Sequence, residues 1–391
     1  MQSTLDLLFS RLRRFPDVEA ANLQAWDATD RLLLDTAAEL RASGVVAPGA
    51  SIAVVGDRYG ALTLGLLTLG RDHGMQDGMQ EGTVRVHQDL VTGERALRHN
   101  AAAVGVTDGF DQLPLDAAVE GAGLVLLQLP RSLAELEEIA DAVARHAAPG
   151  VVLLAGGRVK HMSLGMNAVL ERYFGEVQPQ LARQKSRILL ARAPQAVGAT
   201  PPYPVTERNA ELDLTVCARG AVFAGTGLDI GTRFLLDFLP QMPGVQHAVD
   251  LGCGTGILAA MYARSHPDAR VTATDRSAAA VESARETARA NGLHGQIQVL
   301  QDDAVSTLPD AGTGLVLLNP PFHLGAAVHA GAGIKLIQAA ARVLAPGGEL
   351  WTVFNSHLHY QPALERLVGP TREVGRNAKF TVTASVRTPR P

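Results

Sequence analysis

Asn319-Pro320-Pro321-Phe322-His323 follows directly on the apolar run Gly314-Leu315-Val316-Leu317-Leu318. A run of that kind reads as a buried strand, which puts the five residues at a strand's carboxyl end, where open α/β sheets hold their ligands. Two consecutive prolines delay any helix and remove two backbone donors, so carbonyl oxygens and the Asn319 amide are left facing the crevice. Such a set of acceptors suits an amine.

A second group lies upstream. Asp250-Leu251-Gly252-Cys253-Gly254-Thr255-Gly256 closes another apolar run, and Asp275, 19 positions beyond Gly256, ends the next. Alternate glycines let the backbone approach a ligand and turn sharply into a helix, whose amino end favours negative groups. An acid ending the following strand can accept both hydrogen bonds of a ribose diol, so loop and acid together grip a nucleoside. Dehydrogenases use the same device for dinucleotides, but this loop runs Gly-Cys-Gly-Thr-Gly, not Gly-x-Gly-x-x-Gly, and opens with an acid. Asp250 suits the amino end of an amino-acid moiety. The ligand implied is S-adenosylmethionine, with Asp302 or Asp303 near the adenine.

The elements that must position these groups form an α/β pattern. A turn-rich approach at residues 222–229 precedes a helix over 230–239. Strands follow at 248–251, 270–275, 297–300 and 314–318, with a helix over 257–265 behind the glycine loop. The first half repeats the plan. It opens with an amphipathic helix over 22–43, read as a lid on the first sheet. A strand then breaks at Gly56 and runs into a helix from residue 61, and further strands lie at 84–89 and 123–130. Residues 71–82, with the near-repeat Gly-Met-Gln-Asp-Gly-Met-Gln-Glu, read as a surface insertion.

Gly-Leu-Val-Leu-Leu occurs at 123–127 and again at 314–318, and each copy leads through a helix to Ala-Pro-Gly. The expected architecture is therefore two tandem Rossmann-like domains from an internal duplication. Gly56 and Gly60 match Gly252 and Gly256, Asp89 matches Asp275, and Gln128-Leu129-Pro130-Arg131 matches Asn319-Pro320-Pro321-Phe322. The N-terminal copy, having lost the asparagine, one proline and the aromatic, is expected to keep the fold without the chemistry. Pro194, Pro201, Pro202 and Pro204 mark an extended linker over 193–208, between domains at 1–192 and 209–391. Just before it, Arg183, Lys185, Arg187 and Arg192 form a basic cluster, either a solvated strand edge or a surface for RNA phosphates.

Composition bounds the function. The 391 residues carry a formal net charge of -4, so whole-surface attraction to nucleic acid is not expected and RNA contacts must come from local patches. The two cysteines, Cys217 and Cys253, have no metal-ligand spacing, and neither a disulfide framework nor a metal site is expected. His357 and His359 have no identifiable metal partner. The early apolar segment precedes Arg11, Arg13 and Arg14, the reverse of signal-peptide order, and no run is long enough for a membrane span. A cytoplasmic, monomeric protein is expected.

Taken together, the Asp250–Gly256 loop, Asp275 and Asn319-Pro320-Pro321-Phe322 resemble the class I S-adenosylmethionine-dependent methyltransferases that act on amines. Within that class, Asn-Pro-Pro-Phe-His-Leu-Gly, the upstream Gly227-Leu228-Asp229-Ile230-Gly231-Thr232-Arg233-Phe234 and the degenerate N-terminal copy are similar to the bacterial ribosomal RNA guanine-N2 methyltransferases. Arg13-Arg14-Phe15-Pro16, Leu23-Gln24-Ala25-Trp26-Asp27 and Asn377-Ala378-Lys379-Phe380 lean toward the large-subunit (23S) members over the small-subunit (16S) ones. The resemblance implies that the Asn319 side-chain oxygen and the Pro320 carbonyl accept the two hydrogens of a guanine amine and stabilise the charge that develops on it. Phe322 would stack on the base beside Pro321, and Arg183, Lys185 and Arg187 would meet phosphates; Phe223, Asp229 and Arg233 either border the guanine, cover the cofactor, or simply pack and cap. His323 is read as structural, because the amine can lose its proton to water after transfer. The target base must be unpaired or flipped, at about a few kcal/mol. Glutamine-directed protein methyltransferases share Asn-Pro-Pro and form the alternative reading. They commonly carry tyrosine where this chain has Phe322. A non-catalytic RNA-binding factor on the same fold is a third reading, against which Asn319 and Asp275 argue.

Overall fold

The computed structural model describes residues 4–20, 22–72, 83–320 and 326–389. The chain divides into two compact units, Met1–Pro202 and Tyr203–Pro391.

In the N-terminal unit, β1 (Ile52–Val55), β2 (Val84–His87), β3 (Phe110–Gln112), β4 (Leu124–Gln128), β5 (Val152–Arg158), β6 (Phe174–Pro179) and β7 (Ser186–Pro194) build one sheet in the order β3-β2-β1-β4-β5-β7-β6. The first five strands run parallel, and β7 is antiparallel to both of its neighbours. The apolar runs seen in the sequence follow from helices covering both faces. Ile52, Val54, Leu124 and Leu126 enter one core layer, while Ala53, Val55, Val125 and Leu127 enter the opposite one.

The helix expected over 22–43 is shorter, spanning Ala28–Ala42. Asp27 fixes its start through a capping box: its side chain accepts from Thr29 N at 2.6 Å, and Asp30 accepts from Asp27 N at 2.7 Å. Trp26, inside the expected helix, instead stacks on Phe9 at 4.6 Å before the helix begins. The helix does lie on the sheet, with Thr29 Oγ1 bonded to Ser186 Oγ of β7 at 2.9 Å. Of the expected insertion at 71–82, only the first two residues are described, as the end of the helix Ala61–Asp72.

The C-terminal unit begins with β8 (Val205–Asn209) and β9 (Leu214–Ala218), a two-stranded antiparallel ribbon. Its main sheet comprises β10 (His247–Leu251), β11 (Arg270–Asp275), β12 (Ile297–Gln301), β13 (Thr313–Leu318), β14 (Leu344–Asn355), β15 (Thr371–Arg376) and β16 (Phe380–Val386). Their order, β12-β11-β10-β13-β14-β16-β15, is the order of the first sheet strand for strand. The linker expected at 193–208 has both ends in strands: β7 runs to Pro194 and β8 starts at Val205, with the division between units after Pro202.

Register aligns the two sheets residue by residue. Val55 pairs with His87 and Leu127, as Leu251 pairs with Thr274 and Leu318. The residue that stands where Asp275 does is therefore Gln88, not Asp89; spacing alone misplaces the match by one because strand ends cannot be fixed without pairing partners. Gln128 takes the position of Asn319. Gly56 N donates to His87 O at 3.0 Å and Gly252 N to Thr274 O at 2.8 Å, and both glycines have φ 79°.

No helix among the described residues is long and apolar enough to cross a membrane.

Candidate active site

At the carboxyl edge of the second sheet, the glycine loop leaves the central strand β10, with Asp275 ending β11 on one side and Asn319 following β13 on the other. Gly252, Gly254 and Gly256 all have left-handed φ, at 79°, 53° and 79°. Their uses differ. A Cβ on Gly252 or Gly254 would meet nothing within 4 Å, so these two open the loop surface toward a ligand. A Cβ on Gly256 would lie 3.0 Å from Ala284 Cβ and 3.1 Å from its Cα, so the third sets the approach of the helix Ala278–Ala290.

Asp275 is locked to the loop. It is partly exposed; its Oδ2 accepts from Gly254 N at 3.1 Å and its Oδ1 from Ser277 N at 3.0 Å. Asp250 is fully buried. One oxygen accepts from Ala259 N at 2.9 Å, anchoring the helix Ile257–Ser265, and Oδ1 has no partner among the described residues. Burial, and then the charge of Asp275, pushes the Asp250 carboxyl up to about 7. Burial likewise raises the Cys253 thiol well above its usual value, which removes it as a nucleophile.

The two acids after β12 separate. Burial alone would raise Asp302, but hydrogen bonds from Ser306 Oγ, Thr307 N and Thr307 Oγ1 hold its carboxyl below the ordinary range. Asp302 thus folds its own loop. Asp303 is ion-paired with Lys335.

Asn319 has the most informative surroundings. Its Nδ2 donates to Asp229 Oδ2 at 2.8 Å and to Thr232 Oγ1 at 2.9 Å, while its Oδ1 is buried without a partner among the described residues. A carboxylate only accepts, so the NH2 group must face Asp229, and the carbonyl oxygen is the group left over. Asp229 also caps the helix Ile230–Leu236, accepting from Thr232 N at 3.0 Å. Between them Gly231 passes close: a Cβ there would lie 3.0 Å from Asp229 Oδ2 and 3.2 Å from Asn319 Oδ1.

Pro320 is buried directly after Asn319. Pro321, Phe322 and His323 lie outside the described residues. Phe223 is 66% exposed in the turn before the helix. Arg233 is ion-paired with Glu211 across an exposed surface, so meeting a phosphate or a base would require exchanging that partner. In the other unit, Arg183 and Lys185 are exposed at the turn leading into β7, and Arg183 lies 3.7 Å from Glu39. Arg187 is only partly exposed within β7, with a buried Nε that has no partner among the described residues. Gly231 and Thr232 stand in the sequence only as part of the Gly227–Phe234 motif, with no role of their own; Asp229 followed three positions later by Thr232 reads as a helix start.

The donor set fits S-adenosylmethionine: two glycines whose missing side chains leave a cradle, a carboxylate held at the end of the adjacent strand, and a buried acid with an orphaned oxygen beneath the loop.

Residues 213–384 match the Methyltransferase small domain family and residues 2–195 the RLMG N-terminal domain family. The ribosomal RNA large subunit methyltransferase G of Streptomyces avermitilis is 35% identical over 384 residues, 96% of each chain. The protein of the same name from Pseudomonas aeruginosa UCBPP-PA14 is 36% identical over 373 residues, 95% of this chain and 96% of the relative. Among solved structures, the T. thermophilus 16S rRNA N2 G1207 methyltransferase (RsmC), in complex with AdoMet and guanosine, shares the fold with a TM-score of 0.71 at 23% identity over 92% of each chain. At such identity over nearly its whole length, this chain belongs to the ribosomal RNA large subunit methyltransferase G family.

Proposed function

We propose that the protein transfers a methyl group from S-adenosylmethionine to the exocyclic N2 of a guanosine in large-subunit (23S) ribosomal RNA. The observation that carries this reading is the buried Oδ1 of Asn319, without a partner among the described residues, just after β13 and across β10 from Asp275. When bound, the cofactor supplies an electrophilic methyl on a sulfonium. Gly252 and Gly254 would let it approach the loop, Asp275 would take the ribose diol, Asp250 would support the loop beneath the amino-acid end, and Asp302 and Asp303 would border the adenine.

A guanine amine attacks poorly while its lone pair is delocalised into the ring. Asn319 Oδ1 and the Pro320 carbonyl, each accepting one N–H, would draw the nitrogen toward tetrahedral geometry and offset the positive charge that grows on it. Phe322 would hold the base plane, with Pro321, Phe223 and Arg233 around it. No side chain need take the proton first. Asn319→Ala should abolish methylation of the rRNA while S-adenosylmethionine still binds; a variant that keeps methylating would reject the role. Mass mapping of rRNA from wild-type and deletion cells should show one methyl missing from a guanine in the large subunit, and a loss confined to the small subunit would reject the subunit.

The N-terminal unit is read as a degenerate copy spanning about residues 1–192, serving RNA binding. Supporting this are the common strand order and a shared contact: a Cβ on Gly60 would lie 2.7 Å from Leu97, the position equivalent to Ala284 against Gly256. Chemistry is missing because Val54 stands for Asp250, Arg58 for Gly254 and Gln88 for Asp275. Asp57 is buried and turned into its own helix, accepting from Gly60 N, Thr63 N and Thr63 Oγ1. Arg183 and Lys185, with Lys160 beside them through the Val159 N to Lys185 O bond of 2.9 Å, are the exposed cations offered to phosphates, and Arg187 stands behind them.

A further inference from the structure

We infer that Asp229 and Thr232 are positioning residues for methyl transfer, clamping the Asn319 amide so that only its carbonyl oxygen is presented to the substrate. This rests on the reading of Asn319 as the amine acceptor.

Helix capping does not require the arrangement. To cap the helix Ile230–Leu236, Asp229 needs one acceptor for Thr232 N, and that bond is made at 3.0 Å. The same oxygen, Oδ2, also receives Asn319 Nδ2 at 2.8 Å, and the second amide hydrogen goes to Thr232 Oγ1 at 2.9 Å. Both amide donors are thereby used, from two residues three apart on one helix, across 90 and 87 positions of chain. Gly231, between them, costs a helix about 1 kcal/mol relative to alanine. The space it leaves is needed, since a Cβ would sit 3.2 and 3.3 Å from the two polar atoms of the Asn319 amide.

Clamping sets the polarity of the site. An unrestrained asparagine can turn its amide by half a rotation at little cost, and would then present NH2 to a substrate amine that itself only donates. With Nδ2 held by a carboxylate and a hydroxyl, the turned state would set Oδ1 against Asp229 Oδ2, two acceptors face to face, with the donor facing the amine. The clamp thus selects substrates that bring N–H groups.

The test compares full-length wild type, Thr232→Val, Thr232→Ser, Asp229→Asn and Asn319→Ala in single-turnover methyl transfer to rRNA, with S-adenosylmethionine and RNA affinities measured alongside. Valine keeps the shape and removes the acceptor. Asparagine at 229 keeps a cap acceptor and adds an NH2 that can occupy Asn319 Oδ1. Thr232→Val and Asp229→Asn should slow transfer by roughly 10- to 100-fold with both affinities unchanged, and Thr232→Ser should restore the rate. Thr232→Val and Asp229→Asn both at the wild-type rate, while Asn319→Ala is inactive, would overturn the clamp and leave the Asn319 reading standing. An active Asn319→Ala would overturn that reading and the clamp with it. Loss of cofactor affinity in step with rate, or no rescue by serine, would reduce Thr232 to a structural role and overturn the inference.

Discussion

Gly231→Ala is a substitution that ordinary rules of stability would welcome. Gly231 lies in the first turn of the helix Ile230–Leu236 and is not among the glycines with left-handed φ, so alanine meets no backbone strain, and helix propensity favours it by about 1 kcal/mol. The added methyl, however, would sit 3.0 Å from Asp229 Oδ2, 3.2 Å from Asn319 Oδ1 and 3.3 Å from Asn319 Nδ2. Restoring ordinary contact requires the amide to recede by roughly a few tenths of an ångström, a modest cost in a folded protein but a large one where an acceptor must meet a reacting amine. Melting temperature should hold or rise slightly. Binding of S-adenosylmethionine, measured by calorimetry, should be unchanged, because Gly252, Gly254 and Asp275, the residues proposed to hold the cofactor, lie on other elements. Single-turnover methyl transfer should fall by roughly tenfold or more. A rate within about twofold of wild type would refute the claim that the amide's position limits the chemistry.

Asp275→Ala should weaken S-adenosylmethionine binding by roughly 10- to 100-fold, since charge-assisted bonds of about 1.5–3 kcal/mol are removed, with a smaller effect on the rate at saturation; an unchanged affinity would remove Asp275 from the grip. Asp250 links stability to pH. Its folded pKa of about 7 lies above the ordinary 3.8, so the folded state keeps a proton that the unfolded state has released, and stability falls as pH rises between those values and levels off above. Asp250→Asn cannot ionise and still accepts from Ala259, so it should flatten part of that slope and be the more stable protein at pH 8, read from urea midpoints at pH 5 and pH 8. A steeper slope would contradict the burial of this carboxyl as the cause. Asp30 and Glu135, also raised to about 7, should leave a residual slope in the other unit. Arg183→Glu with Lys185→Glu should weaken RNA binding and reduce the salt dependence by roughly 0.7–0.9 in slope for each phosphate no longer neutralised, without altering S-adenosylmethionine affinity; an unaltered slope would remove this turn from the RNA surface.

The parts of the fold that are legible in the sequence are those whose pattern is local. The helix Ile257–Ser265 and the strand Arg270–Asp275 have the limits expected of them, because a glycine loop, a continuous apolar run and a terminal acid mark both ends. β8 falls where the sequence predicts linker: Val205–Asn209 is almost wholly exposed and pairs only with β9, so no apolar alternation betrays it, and the prolines before it outweigh everything else. The Asp89 match fails by one position because register is a property of two strands. Within the site, glycines and acids announce themselves by spacing, whereas the hydrogen bonds of Asp229 and Thr232 with Asn319 join residues about ninety positions apart that each look ordinary in their own segment. Buried Asn100 is a similar case. In sequence it is one more polar residue of a helix, yet it accepts from Arg13 N and donates to Arg13 O and Tyr59 O, tying the N-terminal arm to the loop after β1.

The close approach of Gly256 and Ala284 makes two positions a single unit of inheritance. Neither is expected to touch substrate, yet the helix bearing Ala284 is the one that Asp275 leads into, and the Gly254 N to Asp275 Oδ2 bond of 3.1 Å spans the same gap. A larger side chain at 284 would wedge that gap open, and a larger one at 256 would do so from the other side. In the N-terminal unit a bulkier residue, Leu97, stands at the corresponding place against Gly60. On the proposed reading, a sequence drifting at position 284 would lose its nucleoside before it lost its fold, and the aperture of the proposed grip is recorded in a residue outside every motif by which that grip is recognised.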